Sequence, residues 1–156
     1  MIIVMMKNFI VKMCSTFFFV GFAPVAPGSF GTLAGVVVCL ALYNHWIVYS
    51  IVFLVLTVIG VWSAQETETL LGKKDPGCVV IDEVVGIMVT FFMIPFSWPI
   101  IIVGYFLFRA VDMFKIYPAN RLETMGGGVG IVADDLLAGL YANLILQAAL
   151  FLNKIW

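Results

Sequence analysis

Long apolar runs separated by short polar connections dominate the chain from end to end. Runs of roughly 17–25 apolar residues have the length of a membrane-crossing helix. Three such spans are expected, Ile47 to Ala64, Val79 to Pro95 and Trp98 to Phe114. A fourth, Val129 to Leu152, is almost wholly apolar after Asp135. The run Phe30 to Tyr43 is short for a hydrocarbon core of roughly 30 Å and counts as a fifth span only if it tilts, thins the bilayer or extends inward from the preceding loop. Tyr43, His45, Trp46 and Trp98 fall at span ends, where an aromatic belt would place them. Near the start, Lys7 and Lys12 precede the apolar stretch Met13 to Ala23, a pattern loosely like a signal peptide. However, Ala23-Pro24-Val25-Ala26-Pro27 is a poor cleavage site, so the segment reads as retained, with a re-entrant or interfacial path. Nothing repeats at a fixed period. The expectation is a single domain over residues 1–156, an all-α polytopic helical membrane bundle with four to five membrane segments.

Composition strengthens that picture. Of 156 residues, 63% are hydrophobic and 11% charged, with a mean hydropathy of +1.15. Soluble domains carry about 25% charged residues, so this chain lacks the polar surface to wrap a core in water. A net charge of −1 without a basic stripe gives no footprint for nucleic acid. Cys14, Cys39 and Cys78 are odd in number and contain no CxxC, and they read as free thiols acting as small hydrophobes. Lysine and arginine fall in alternate connections: Lys7 and Lys12, then Lys73 and Lys74, then Lys115 and Arg121. The intervening Asn44-His45 and Phe96-Ser97 turns have neither. The positive-inside rule therefore puts the basic connections in the cytoplasm, with Lys154 the exception.

That orientation makes the rare acids informative. Asp82 and Glu83 open one span at its cytoplasmic end; Arg109 and Asp112 close the next, followed by Lys115. Asp134 and Asp135 lie about one turn into the last, on the same side. An ionised Asp in a membrane segment costs roughly 2.5–3.5 kcal/mol on insertion scales, so such acids are retained when paired or bound to a cation. Arg109 and Lys115 cannot neutralise five carboxylates. An all-oxygen donor set favours Mg²⁺ over zinc. His45, the only histidine, belongs to the opposite face and reads as an interfacial side chain. A plain alternative stands beside each group. Arg109 and Asp112, at i and i+3, can be an ordinary intrahelical pair. One member of each adjacent acid pair can simply face headgroups. Glu66, Glu68, Asp75 and Glu123 lie in polar connections and read as solvated surface.

Two glycine segments add anion-binding potential. Gly126-Gly127-Gly128-Val129-Gly130 runs into the last helix, and Pro24-Val25-Ala26-Pro27-Gly28-Ser29-Phe30-Gly31-Thr32 enters an earlier one with two hydroxyls near its start. Glycine backbone at a helix N-terminus brings N–H groups close to an anion. Neither is a Walker A or dinucleotide fingerprint, and each alone is more often a turn. Gly86, Ala138 and Gly139 read as close helix-packing positions.

Taken in order, four blocks resemble the bacterial phosphatidylglycerophosphatase A family. They are the P-x-x-P-G-S-x-G-T segment Pro24 to Thr32, Asp82-Glu83-x-x-Gly86, Phe108-Arg109-x-x-Asp112-x-x-Lys115, and Gly127-Gly128-x-Gly130-Ile131-x-x-Asp134-Asp135-x-x-Ala138-Gly139. The likeness runs from about Gly21 to Gly139. It departs at Lys115-Ile116-Tyr117-Pro118, where the family often has Lys-Pro-x-Pro, and it swaps the order of the hydroxyls at Ser29 and Thr32. The resemblance implies Mg²⁺-dependent removal of the terminal phosphate from phosphatidylglycerophosphate at the inner (cytoplasmic) membrane of a bacterium. The expected partners are then the bilayer and its phospholipid substrate, with the site facing the cytoplasm.

The chemistry of a phosphate monoester assigns roles. Asp82, Glu83, Asp134 and Asp135 are the expected ligands of one or two Mg²⁺ ions. Arg109 and Lys115 are expected to clamp phosphoryl oxygens, with Ser29, Thr32, Gly127 and Gly128 as further phosphate contacts. Asp112 either orients Arg109 or joins the metal shell. Water is the preferred nucleophile, because no Ser–His or Cys–His pair is present, and an aspartyl-phosphate route is the rival. An ion-coupled transporter also carries intramembrane carboxylates, but would favour the midplane and broken helices. A headgroup transferase would show a D-x-x-D-G-x-x-A-R pattern, which is absent.

Overall fold

A computed structural model of the chain describes residues 2–114, 117 and 125–155. Six α-helices and no strand occur among them: α1 (Ile2–Ser15), α2 (Pro27–Ala41), α3 (Trp46–Leu71), α4 (Ile81–Phe91), α5 (Trp98–Phe114) and α6 (Gly127–Ile155). A single 3₁₀ turn, Val20–Phe22, lies between α1 and α2.

Helix α4 is the axis around which the others pack. Val84, Val85, Ile87, Met88 and Phe91 are fully buried, and no residue of this helix is exposed. Its contacts fix the direction of every neighbour. Gly31 and Gly35 of α2 meet Val80, then Val84 and Ile87, so α2 runs parallel to α4. Gly60 of α3 faces Ile81 while Tyr49 reaches Met88, so α3 runs antiparallel. Phe108 of α5 lies on Gly86 and Gly104 on Phe91, again antiparallel. Helix α6 runs parallel, with Gly139 against Gly86 and Asn143 beyond Thr90. Consequently α2 to α6 alternate in direction, and their acid-bearing ends collect at one end of the bundle. The opposite end is aromatic: Tyr43 packs on Phe96 at 4.7 Å between ring centroids and Trp46 on Phe92 at 6.0 Å.

The helix lengths differ from the expected spans. Among the described residues two helices, α3 and α6, are long and apolar enough to cross a membrane, against the four to five segments expected. The run Val79 to Pro95 yields only 11 helical residues, about 16 Å of rise. Its start is held by the Val80 N–H, which donates to the Ser15 carbonyl at 2.9 Å. Its end is forced by Met93 at φ 56° and by Pro95. Helix α2 starts three residues before the expected Phe30, with Pro27 in its first turn, yet reaches only 15 residues. Helix α3 overshoots, continuing through Gln65-Glu66-Thr67-Glu68-Thr69 to Leu71, where a polar connection was expected. Glu66 there pairs with Lys7 of α1 at 2.9 Å.

A helix as short as α4 leaves its last carbonyls unpaired inside the bundle, and such buried groups need partners from neighbouring helices. The Tyr49 hydroxyl donates to the Met88 carbonyl at 2.6 Å. The Asn143 amide donates to the carbonyls of Thr90 and Phe92 at 3.0 and 2.9 Å, and Gln147 donates to Asn143 Oδ1 at 2.7 Å. Outside, α3 shows a stripe of Ile47, Ile51, Leu54, Val55, Val58 and Trp62. Apolar surface on that scale belongs against lipid or a partner.

The N-terminal stretch is not one apolar segment from Met13 to Ala23. Helix α1 stops at Ser15, and Phe17, Phe18 and Phe19 follow with φ of 44°, 55° and 69°. The left-handed run is held by the Phe19 N–H, which donates to Thr16 Oγ1 at 3.1 Å, and by the Gly21 N–H on the Thr16 carbonyl at 2.9 Å.

Candidate functional site

The site grows from the first turn of α4. Asp82 and Glu83 sit where the helix dipole favours negative charge. Neighbouring positions on a helix point about 100° apart, so both remain inside only because α4 is enclosed on all sides. Glu83 meets α2 and α5: a Cβ at residue 28 would run into its carboxylate, which would have to move to make room. Asp82 turns towards α6, where Asp135 is buried. One oxygen from each of Asp82, Glu83 and Asp135 lies within 4.8 Å of the others.

This triad is not internally satisfied. Oδ1 of Asp82, Oε2 of Glu83 and Oδ2 of Asp135 are buried without a hydrogen-bond partner among the described residues. Buried charge without compensation is costly. Hard cations bind oxygens at 2.0–2.6 Å and hold opposed ligands roughly 4–5 Å apart, so the spacing and donor type fit a divalent ion such as Mg²⁺ or Ca²⁺.

Arg109 and Asp112, from the last turns of α5, close one side. The Arg109 guanidinium donates to Asp112 Oδ2 at 2.8 Å and lies 3.8 Å from Glu83 Oε1, while its buried Nε has no partner among the described residues. The intrahelical pair considered from sequence is therefore present, and it also reaches the acid triad. Asp134 is buried, accepts from the Asp135 N–H at 3.1 Å, and stands in the wall of the same cleft.

The cleft holds about 150 Å³. Asp82, Glu83 and Asp135 form its floor, Asp112, Asp134, Ile131, Gly126 and Gly127 its walls, and Glu68, Lys74 and Asp75 part of its rim. Several residues expected as phosphate contacts are placed elsewhere. The Thr32 hydroxyl is fully buried and donates to the Gly28 carbonyl at 2.9 Å, within its own helix. Ser29 does not line the cleft, and its carbonyl accepts from the Tyr105 hydroxyl at 3.1 Å. Gly128 packs on the α3 backbone at Val61, and its N–H donates to Gln65 Oε1 at 3.1 Å. Gly127 does line the cleft; Lys115 lies outside the described residues.

Sequence reasoning missed Gln65, Glu68, Lys74 and Asp75. Their polarity reads as solvated connection, yet α3 continues through the first two, and Lys74 and Asp75 line the cleft together with Asp82 and Glu83. The available signal was proximity: Lys74 precedes Asp82 by eight positions.

Comparison with known proteins bears directly on this arrangement. The family model of phosphatidylglycerophosphatase A matches residues 13–150. A proposed phosphatidylinositol-3-phosphatase of Bacteroides thetaiotaomicron is 33% identical over 153 residues, covering 91% of this chain and 94% of its own. The phosphatidylglycerophosphatase A of Escherichia coli is 33% identical over 139 residues, covering 87% of this chain and 79% of its own. That of Haemophilus influenzae is 34% identical over 129 residues, covering 79% and 78%. No solved structure matches. The matched region holds the buried triad, Arg109, Asp112 and Asp134 together, and on this breadth of match the chain belongs to the phosphatidylglycerophosphatase A family.

Proposed function

We propose that the chain is a Mg²⁺-dependent phosphoric monoester hydrolase that converts phosphatidylglycerophosphate to phosphatidylglycerol and inorganic phosphate. The observation that carries this reading is the floor of the cleft. Three carboxylates from two helices converge there, Asp82 and Asp135 buried and Glu83 half-buried, each with an oxygen that has no partner among the described residues, in a chain of this family. Asp82, Glu83 and Asp135 would hold the ion, which supplies Lewis-acid stabilisation of the phosphoryl oxygens. Arg109 keeps Glu83 and Asp112 in place, and the Gly126–Gly127 backbone gives N–H groups to the phosphate. Water is the nucleophile, since no Ser–His or Cys–His pair lines the cleft, and Asp134 in the wall takes its proton.

In the same reading the protein is a multi-pass protein of a bacterial inner membrane. Helices α2 to α6 cross it in alternating directions, the shorter ones shielded from lipid or completed by extended backbone, while α1 lies along the interface. Lys7, Lys12, Lys73 and Lys74 then share the cytoplasmic side with the cleft, as the positive-inside rule requires. A lipid phosphate at headgroup depth reaches such a site while its acyl chains stay in the bilayer.

A second substrate reading follows from the Bacteroides relative, whose name specifies a phosphate on inositol. Both substrates present a phosphate monoester on a lipid headgroup. The transporter alternative has no support from the family. Purified protein in detergent should release phosphate from phosphatidylglycerophosphate in the presence of Mg²⁺ and cease on chelation. Faster release from phosphatidylinositol 3-phosphate would move the substrate assignment, and release from neither lipid would end the phosphatase reading.

A further inference from the structure

Seven carboxylates line the cleft: Glu68, Asp75, Asp82, Glu83, Asp112, Asp134 and Asp135. Among the described residues a single basic side chain lines it with them, that of Lys74. Arg109 does not line it, and its guanidinium is taken up by Asp112 and Glu83. A phosphate dianion approaching this cleft needs a positive group beyond any ion that Asp82, Glu83 and Asp135 would hold, and the rim offers one.

The rim segment is built to keep that group in place. Gly72 ends α3 at φ 59°, and Asp75 follows at φ 45°. The Asp75 N–H donates to Glu68 Oε1 at 2.8 Å, anchoring the residue directly after Lys74. The Val79 N–H closes a turn within the segment on the Pro76 carbonyl at 2.8 Å, and the Val80 N–H ties the segment to the bundle through the Ser15 carbonyl at 2.9 Å. Lys74 is exposed and has no ion pair among the described residues, despite its acidic surroundings. Its neighbour Lys73 is also exposed but does not line the cleft.

We propose that Lys74 is a phosphate-gripping cation of this site: its ammonium binds the non-bridging oxygens of the lipid phosphate monoester at the cleft mouth. An ammonium on a flexible four-carbon stem acts as a point charge that follows the phosphate inward, which a guanidinium fixed between two carboxylates cannot do. The inference rests on the phosphatase reading for the identity of its ligand, and on the cleft lining alone for the contact.

The test compares the full-length protein with K74A, K74R and K73A in dodecyl maltoside with Mg²⁺. KM and kcat are measured on short-chain phosphatidylglycerophosphate, and inorganic phosphate affinity by phosphorus NMR titration. K74A should raise KM and weaken inorganic phosphate binding together by about ten-fold, the loss of one charge-assisted hydrogen bond, while K74R retains most of both. K73A should match the wild type, and Mg²⁺ affinity should be unchanged in all three. Wild-type phosphate affinity in K74A overturns the proposal, as does equal weakening in K73A and K74A, which would mark diffuse attraction. If the wild type hydrolyses no lipid phosphate, the phosphatase reading fails, and the inorganic phosphate titration still decides the role of Lys74.

Discussion

Glu83 and Gly28 are in backbone-to-side-chain contact: the Glu83 carboxylate stands where the Cβ of any other residue at position 28 would have to be. The Arg109 guanidinium is beside the same spot, so an added methyl at residue 28 pushes on both partners of an ion pair. Gly28→Ala should leave the protein folded and lower kcat by about 100-fold, the scale expected for a displacement of about 1 Å in a catalytic group. Phosphate-release kinetics beside a thermal melt check it. Normal turnover in the variant would show that Glu83 tolerates the shift and is not part of the working geometry.

The unpartnered oxygens of Asp82 and Asp135 make ion binding a stability matter as well as a catalytic one. An ion bound only to the folded state stabilises it by about 2.7 kcal/mol at one hundred times its dissociation constant. Thus Mg²⁺ should raise the melting temperature of the wild type, and chelation should lower it. In Asp82→Asn and Asp135→Asn that response should vanish together with activity. Asp134→Asn, outside the three-oxygen cluster, should keep the melting response. A full response in Asp135→Asn would remove that residue from the ion site.

Arg109 forms its 2.8 Å bond to Asp112 in largely buried surroundings. Replacing it by Ala strands Glu83 and Asp112, and should cost about 1.5–3 kcal/mol of stability, the range for hydrogen bonds to charged groups. Arg109→Lys keeps the charge but loses the fork, and should recover stability better than activity. Denaturation in mixed micelles, run beside kinetics, separates the two.

The capped end of α4 gives a prediction far from the chemistry. Asn143→Leu removes the donor to two carbonyls at once and also leaves Gln147 without its acceptor. A destabilisation of about 1–3 kcal/mol for each stranded group is the physical scale. Unfolding of the purified protein should register it, with KM for the lipid little changed. Unaltered stability would mean that water reaches those carbonyls.

What the sequence made legible was depth, and what it hid was direction. Asp82 and Asp135 could be matched because each lies near the same end of an apolar run, and Gly86 and Gly139 could be read as contact points because small residues permit close helix approach. The converse failures share one cause. Gln65 to Thr69 are as polar as a loop, yet α3 continues through them to Leu71, because a helix that meets water needs no apolar pattern to persist. Ser29 and Thr32 carry hydroxyls at a helix start, but whether a hydroxyl faces an anion or its own backbone depends on rotation about the helix axis. Thr32 bonds to Gly28 instead. Likewise, hydropathy counts Val79 to Pro95 as one span because it does not register the left-handed Met93 that cuts the helix short.

The complete enclosure of α4 has a mechanical side. Bilayers differ in thickness, and helices touching lipid answer by tilting or bending. In this fold α2, α3, α5 and the far half of α6 carry exposed apolar side chains, while no residue of the helix carrying Asp82 and Glu83 is exposed. In the membrane placement proposed above, the spacing of the triad is thereby decoupled from the hydrocarbon around the bundle. Reconstituted into vesicles of short or long acyl chains, the enzyme should hold its kcat while its outer helices adjust, as a bearing runs true inside a housing that flexes.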